Sequence, residues 1–172
     1  MEHSFSKVGT ITHERSTFMR PSGWKGAFDV DELIPIYCDE VLPGDSMSLD
    51  MSAVIRTATP KFPIMDNLKV KYEAFFVPMR LVWEKTENFF GEQLDPGDSI
   101  SFLIPSNTSA LGSAHEDSLT DYLGLPVGNV TGTIDFNILP FRCYHLIADE
   151  WYRDQNLQDS ADVVTDSTSS II

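Results

Sequence analysis

The residues with the clearest potential for chemistry lie on one predicted helix near the end of the chain. His145 and Asp149 are four residues apart, a spacing that places two metal-ligating side chains on one helix face. The sequence has no HExxH motif and no second cluster of ligands. A pair on the helix surface is therefore the favoured interpretation, and no metal or other cofactor is predicted.

The other motifs that suggest chemistry are incomplete. Asp29, Asp31 and Glu32 resemble part of a calcium loop, but the required glycine and the terminal glutamate are missing. The glycine-containing segment 128–132 lacks the Gly-Lys-Ser/Thr of a phosphate loop, and no G-x-S-x-G serine elbow occurs. The sequence therefore predicts no catalytic residue.

Composition excludes several classes of protein. The 172 residues predict one domain, and no apolar run approaches the ~18 residues needed to span a membrane. Cys38 and Cys143 provide neither a disulfide framework nor zinc spacing, and both are predicted to be small buried hydrophobic residues. The composition predicts a soluble, β-rich domain with two or three helices.

The net charge of −14 is distributed unevenly. Residues 1–86 carry 10 basic and 12 acidic side chains, whereas residues 87–172 carry 2 and 14. The second half is therefore predicted to repel nucleic acid, and any contact with a phosphate backbone must come from the first half.

Two β-strands are predicted in the first half, after a polar arm over residues 1–32 that shows no sustained periodicity. Alternation over residues 46–56 predicts a strand with one buried face and one wet face. The residues predicted to face the core are Met47, Leu49, Met51, Ala53 and Ile55, and those predicted to be more exposed are Ser48, Asp50 and Ser52. A second strand is predicted over residues 68–77, with its end covered on both sides. A link with two prolines, residues 59–67, joins the two strands and is predicted to be extended.

Three helices and one further strand are predicted after Pro78. The helices cover about residues 82–90, ended by Gly91; residues 114–123, with a capping box of Ser113 and Glu116; and residues 139–156. The strand covers residues 100–104. The last helix is predicted to bury a broad apolar face formed by Phe141, Tyr144, Ala148, Trp151 and Tyr152. Trp24, Trp83 and Trp151 are predicted to pack in the core and not to stack on bases or sugars.

The most specific signal is a series of segments that runs through most of the chain. Its members are LIPI (33–36), DEVLPGD (39–45), ATP (58–60), FPIMDN (62–67), FFVPMRLVW (75–83), LPFRCYH (139–145) and EWYRDQNLQ (150–158). In this order they resemble the N-terminal part of the major capsid protein of small icosahedral single-stranded DNA phages, the Microviridae, and most closely its gokushovirus branch.

This resemblance implies a mainly β fold, an eight-stranded antiparallel jelly roll of the viral capsid type with helical and loop insertions. Because family members run to several hundred residues, the fold is expected to be incomplete in this chain. Residues 1–172 are then the N-terminal part of one domain. Its parts are an extended arm (1–32), early strands (33–78), insertions with helices (79–157) and the start of an interrupted segment (158–172).

The resemblance also implies a function and its partners. The chain is expected to belong to a structural, non-enzymatic subunit that assembles in the host cytoplasm into a sixty-copy T=1 capsid around circular single-stranded DNA. Its expected location is the virion. The implied partners are other copies of the capsid protein, the packaged DNA, and internal scaffolding or DNA-binding phage proteins, with no membrane.

The basic residues of the arm are the candidate contacts to DNA. By family analogy, such arms lie on the inner surface of the capsid, and this arm carries Lys7, Arg15, Arg20 and Lys25. An arm that clamps neighbouring subunits is the alternative interpretation.

Two other functions stay open at this point: a jelly-roll module that binds carbohydrate or protein, such as a lectin, and an acid-rich hydrolase. Because early jelly-roll strands pair with late ones, residues 1–172 alone are predicted not to form a cooperative monomeric native state.

Overall fold

Within the described residues, the helices and strands all lie after Pro78. The computed structural model describes residues 12–99, 101–110, 114–128 and 131–171. Its elements, in chain order, are a 3₁₀ turn (Met79–Leu81), α1 (Thr86–Phe89), β1 (Ser106–Ala110), α2 (Leu119–Tyr122), β2 (Thr133–Asn137), α3 (Leu139–Ile147) and a π-helical turn (Ala148–Tyr152). The described chain is therefore mostly irregular, with little helix.

The one sheet in the described ranges is an antiparallel pair of β1 and β2. Ser106 lies opposite Asn137 and Thr108 lies opposite Asp135, whose carboxylate accepts a hydrogen bond from the Thr108 hydroxyl. The strand predicted over residues 100–104 is therefore wrong in position, since pairing begins at Ser106. The apolar alternation of residues 100–104 indicates only which side chains are expected to be shielded. The hydrogen-bonded ladder forms instead where the backbone has a partner strand, and the partner of β1 is β2, the segment that precedes α3.

The two predicted early strands do not pair in the described chain. The prediction of a buried face over residues 46–56 is wrong for this chain, because Leu49 is 51% exposed and Ile55 is 48% exposed. Val54, on the opposite face, is 99% exposed, so the predicted face is still better shielded than this position. A strand has neither backbone partners nor a covered apolar face until other strands lie beside and against it.

The second of these segments is covered on one side only. Phe75 and Val77 are half-buried, whereas Phe76 between them is 76% exposed. The prediction that residues 75–77 are covered on both sides is therefore wrong, because only the face that carries Phe75 and Val77 packs against other residues.

The packed core lies where residues 77–83 meet α3. Val82 and Trp83 are buried against Leu139, and the Trp83 ring lies 5.4 Å from that of Phe89. Half-buried side chains surround this cluster: Val77, Met79, Phe102, Cys143 and Leu146. The core position of Trp83 is thus confirmed.

The other two tryptophans differ from their predicted core positions. Trp24 is half-buried and packs on Phe28 and Tyr122, with ring centroids 6.2 and 6.3 Å away. Trp151 is 70% exposed, so its predicted burial is wrong.

α1 ends at a glycine, as predicted. Gly91 has φ +100°, and its N–H donates to Asn88 O, while Glu92 N–H donates to Glu87 O. These two bonds form a Schellman motif, which satisfies carbonyls that the helix leaves free. The predicted helix over residues 82–90 is shorter than expected, because only Thr86–Phe89 is α-helical.

α2 begins later than predicted. Its N-cap is Ser118, whose hydroxyl accepts a hydrogen bond from Asp121 N–H, and Ser113 lies outside the described residues. Asp117 has φ +60°, a left-handed conformation that excludes it from a helix, so the predicted start at Ala114 is wrong. Gly124 ends the helix as predicted, with φ +93°.

α3 is shorter than the predicted helix over residues 139–156. Pro140 lies in the first turn as expected, but the α-helix gives way to the π-helical turn, and Arg153 is extended. A π turn has more residues than an α turn, so it rotates later side chains away from the face that starts at Phe141. This rotation accounts for the exposure of Trp151.

The left-handed glycine that ends α1 makes a matched test possible. Gly91→Ala places a Cβ at φ +100° and is expected to lower the free energy of unfolding by about 1–2 kcal/mol. Gly97→Ala is the control, because no atom lies within 4 Å of its added Cβ and its φ is not left-handed. Urea titration followed by near-ultraviolet circular dichroism measures both, and equal midpoints would contradict the prediction.

Candidate functional site

The candidate DNA contacts in the arm have different surroundings. Lys7 lies outside the described residues, and Arg15 and Lys25 are exposed. The Arg20 Nη1 atom lies 2.8 Å from Asp39 Oδ2, so this guanidinium already has an anionic partner.

Asp39 connects the arm to a later part of the same chain through its contact with Arg20. The Tyr37 hydroxyl donates to Asp39 at 2.8 Å, and this bond, together with the Arg20 guanidinium, lowers the pKa of Asp39. Farther along, the Tyr144 hydroxyl donates to Leu33 O at 3.0 Å. A cavity of about 240 Å³ lies beside Arg20 and Tyr37, but its lining offers one ion pair and one thiol and no catalytic arrangement.

The two cysteines differ in exposure. Cys38 is exposed, so its predicted burial is wrong. It lies in an irregular segment, and its neighbours Tyr37 and Asp39 are the residues that take part in the contact with Arg20. Cys143 is half-buried on α3, and burial raises its pKa to about 11. Partial desolvation, together with the nearby carboxylates of Asp39 and Glu40, raises the pKa of Cys38, so neither thiol is poised as a thiolate nucleophile.

His145 and Asp149, the pair predicted to lie on the helix surface, have different surroundings. Asp149 is only 8% exposed, so the predicted surface pair is wrong for this residue. Its carboxylate accepts hydrogen bonds from Ser160 Oγ and Ala161 N–H, both at 2.9 Å, and lies 2.7 Å from Arg153 Nε. Among the described residues, no group of three or more His, Cys, Asp or Glu side chains could hold a metal ion.

Electrostatics supports a structural role for this carboxylate. The hydrogen bonds from Ala161 and Ser160, followed by the charge of Arg153, lower the pKa of Asp149. His145 is half-buried beside the Tyr144 ring, and burial lowers its pKa. Asp149 therefore anchors the returning chain to the end of α3.

The residue that sequence reasoning missed is Arg142, which is fully buried. Each of its five N–H donors has a carbonyl acceptor in the structure. Nε donates to Ser170 O, Nη1 to Val82 O and Asp166 O, and Nη2 to Thr168 O and Ser170 O, at 2.6–3.1 Å. A buried guanidinium is tolerated when all of its donors are paired, as they are here.

The Arg142 side chain holds residues 164–171 in a loop against the core. Val164 N–H donates to Ile171 O at 3.4 Å, which closes the loop. Trp83 Nε1 donates to Ser167 Oγ at 3.1 Å, and Glu84 N–H donates to Thr165 O at 2.8 Å. The loop is therefore tied both to α3 and to the segment that carries Trp83.

Charge distribution was the signal that could have identified this anchor. Residues 87–172 contain only two basic side chains, Arg142 and Arg153. Arg142 binds the loop, and Arg153 pairs with Asp149 and donates to Gln158 O. Both cations of the acidic half are thus used to hold the chain that returns after α3.

A second contact joins the π-helical turn to the second predicted strand. The Tyr152 hydroxyl donates to the Glu73 carboxylate, and the Phe75 ring lies 5.4 Å from that of Trp151. The hydrogen bond to Glu73 raises the pKa of Tyr152 to about 12. These two contacts therefore hold residues 73–75 beside the π-helical turn.

In the described ranges, no helix has both the length and the apolar character needed to cross a membrane.

Comparison with known proteins identifies one family. The sequence profile of the capsid protein (F protein) family matches residues 6–170. Capsid protein VP1 of Bdellovibrio phage phiMH2K is 42% identical over 156 residues, covering 91% of this chain and 29% of the relative. Capsid protein VP1 of Chlamydia phage 1 is 41% identical over 171 residues, covering 96% and 28%. Capsid protein VP1 of Spiroplasma virus 4 is 36% identical over 169 residues, covering 98% and 30%. The chain thus spans less than a third of the length of these relatives.

The Arg142 anchor predicts a large effect from a conservative change. Arg142→Lys keeps the charge but offers three donors in place of five, so buried carbonyls lose their partners. Hydrogen bonds to charged groups contribute ~1.5–3 kcal/mol each, and we expect amide protection in residues 164–171 to fall at least tenfold in hydrogen exchange. Arg56→Lys, at an exposed position, is the control; equal exchange in the two variants would contradict the role of Arg142.

The Asp149 anchor predicts a pH dependence. Its folded pKa is lowered, so its contribution to stability is present above the unfolded value of about 3.9 and is lost as pH falls through the folded value. We expect exchange protection at Ala161 to hold from pH 7 to pH 5 and to decline below about pH 4.

The matched variants for this pH test are neighbours on the π-helical turn. Asp149→Asn is expected to reduce the protection of Ala161 at pH 7 and to remove its acid dependence. Glu150→Gln changes an exposed carboxylate and is expected to leave both unchanged. If Asp149→Asn kept the wild-type acid dependence, another group would have to be responsible.

Proposed function

Because the chain belongs to the capsid protein (F protein) family, we propose that it forms part of a structural, non-enzymatic capsid subunit of a small single-stranded DNA phage. The subunit assembles in the host cytoplasm into a sixty-copy T=1 shell around the genome, and its final location is the virion. The observation that carries this proposal is the family match over residues 6–170, together with 36–42% identity to three capsid proteins. The alternatives, a lectin-like module and an acid-rich hydrolase, have no such support.

The fold proposed for the complete subunit is an antiparallel jelly roll with helical and loop insertions. Its support is the pair of alternating segments, 46–56 and 68–77, whose apolar faces are about half exposed here and which lack ladder partners in the described chain. Such segments need neighbouring strands and an opposing sheet, which the remaining length of a capsid protein supplies. Residues 79–157 are then insertions between strands that carry the helices.

A charge placed on either face of the first segment tests both the capsid function and the strand register. In the full-length protein, Leu49→Asp is expected to abolish particles, because the charge would enter the core between two sheets. Ser48→Asp is the control on the opposite face, and both positions are exposed in this chain. Negative-stain microscopy measures assembly.

The outcomes of this test separate the possible errors. Uniform particles from the wild type and Ser48→Asp, with none from Leu49→Asp, support both the capsid function and the register. Particles from both variants would refute the register. Failure of the wild-type protein to form particles, with sugar binding by a stable monomer, would favour the lectin-like module.

The packaged DNA is proposed as a partner of the arm, through Lys7, Arg15 and Lys25, with Arg20 contributing less because Asp39 already binds it. Each lost phosphate contact on single strands reduces the salt slope of binding by ~0.7. We expect Arg15→Gln and Lys25→Gln to reduce the slope for the full-length subunit on single-stranded DNA, and Arg20→Gln to change it less. Unchanged slopes with weaker particles would instead indicate that the arm clamps neighbouring subunits.

A further inference from the structure

We infer that the described residues of 77–171 form one unit that folds cooperatively through its own contacts, which differs from the sequence-based expectation that residues 1–172 alone have no cooperative native state. We also infer that residues 46–72 become ordered only when other strands pair with them. The first part depends only on this chain. The second part rests on the proposed function, since it is the remainder of a capsid subunit that would supply those strands.

The first support is the position of the buried side chains. The described residues that are buried are Val82, Trp83, Pro105, Ile138, Leu139, Phe141, Arg142 and Asp149. All of them lie inside the unit, and the described residues before Val77 include no buried side chain. The hydrophobic driving force in this chain is therefore concentrated in the unit.

The second support is that the unit is closed by contacts between distant parts of itself. Arg142 binds carbonyls from Val82 at one end and from residues 166–170 at the other. Asp149 holds residues 160–161, and Ile138 N–H donates to Pro105 O at 3.2 Å. Because these contacts share side chains and backbone, removal of one is expected to weaken the others.

The third support is the absence of comparable contacts in residues 46–72. All of these residues are exposed. The polar contacts that the structure describes for them are local: Asn67 N–H with Asp66 Oδ1, and Lys71 Nζ with Glu73 Oε1 at 2.8 Å. The tie to the unit comes just afterwards, where Glu73 and Phe75 meet the π-helical turn.

The arrangement is a conformational device in which the unit folds first and is connected to two strand-forming segments. The unit does not need these segments for its own core, so it can form before the long-range pairing that a jelly roll requires. The segments are attached to the unit at one end and become ordered when other strands pair with them. The unit thereby determines where the pairing begins.

Native-state hydrogen exchange of the 172-residue chain under increasing urea tests the first part. We expect amides of β2 and α3 to lose protection together at one urea concentration, and amides of residues 46–56 to exchange as in an unstructured peptide without urea. Three results would overturn the inference: amides of residues 46–56 protected as strongly as those of α3, separate urea transitions for β2 and α3, or no amide protection in β2 and α3.

Two variants identify which contacts support the unit. Leu139→Ala is expected to reduce protection throughout β2 and α3 at least tenfold, since large core truncations cost ~2–5 kcal/mol. Leu49→Ala is the control and is expected to leave that protection unchanged. A fall in α3 protection with Leu49→Ala would overturn the inference. If Leu139→Ala does not fold, the inference is tested by the urea titration of the wild-type chain.

Particles of the full-length protein test the second part. Amides of residues 46–56 are expected to become protected at least a hundredfold in assembled particles relative to the 172-residue chain. Particles with unprotected 46–56 amides would overturn this part while leaving the capsid function intact. A full-length protein that forms no particles refutes the proposed function, and the result for residues 77–171 then stands on its own.

Discussion

The constraint on which the rest of the structure depends is the burial of one cation. A guanidinium that has left water must find an acceptor for every donor, and Arg142 does so through main-chain carbonyls from two distant parts of the chain. Because carbonyl positions follow backbone conformation, this requirement fixes the path of residues 164–171 as well as the segment at Val82. α3 is therefore both a core helix and the support of the loop.

This use of charge relates two features of the chain. Residues 87–172 are strongly acidic, yet their only cations, Arg142 and Arg153, are directed inward to the returning chain. Most of the acidic side chains stay exposed, so the surface of this half remains negative. Such a surface is unsuited to nucleic acid, and the proposed DNA contacts are accordingly confined to the arm.

The distribution of packing agrees with the length relation to the known capsid proteins. The chain spans less than a third of their length, and its packed core is confined to the region where residues 77–83 meet α3. The alternating segments differ, since their apolar side chains have no opposing sheet among the residues that the structure describes. Local contacts can form within any piece of a protein, whereas sheet pairing requires the strands that lie elsewhere in it.

Local chemistry was sufficient for several features that the sequence alone determined. Gly91 and Gly124 end their helices because only glycine adopts a left-handed conformation cheaply. Pro140 fits the first turn of α3 because the N–H that proline lacks would have no helical acceptor there. The series of specific segments was also sufficient to identify the family. The start of α2, the π-helical turn and the pairing of β1 with β2 depended on contacts between distant residues. Arg142 and Asp149 looked like ordinary polar residues of an amphipathic helix, and only the returning chain made them buried anchors. Burial of a charge depends on what surrounds it in three dimensions, which a one-dimensional pattern does not encode.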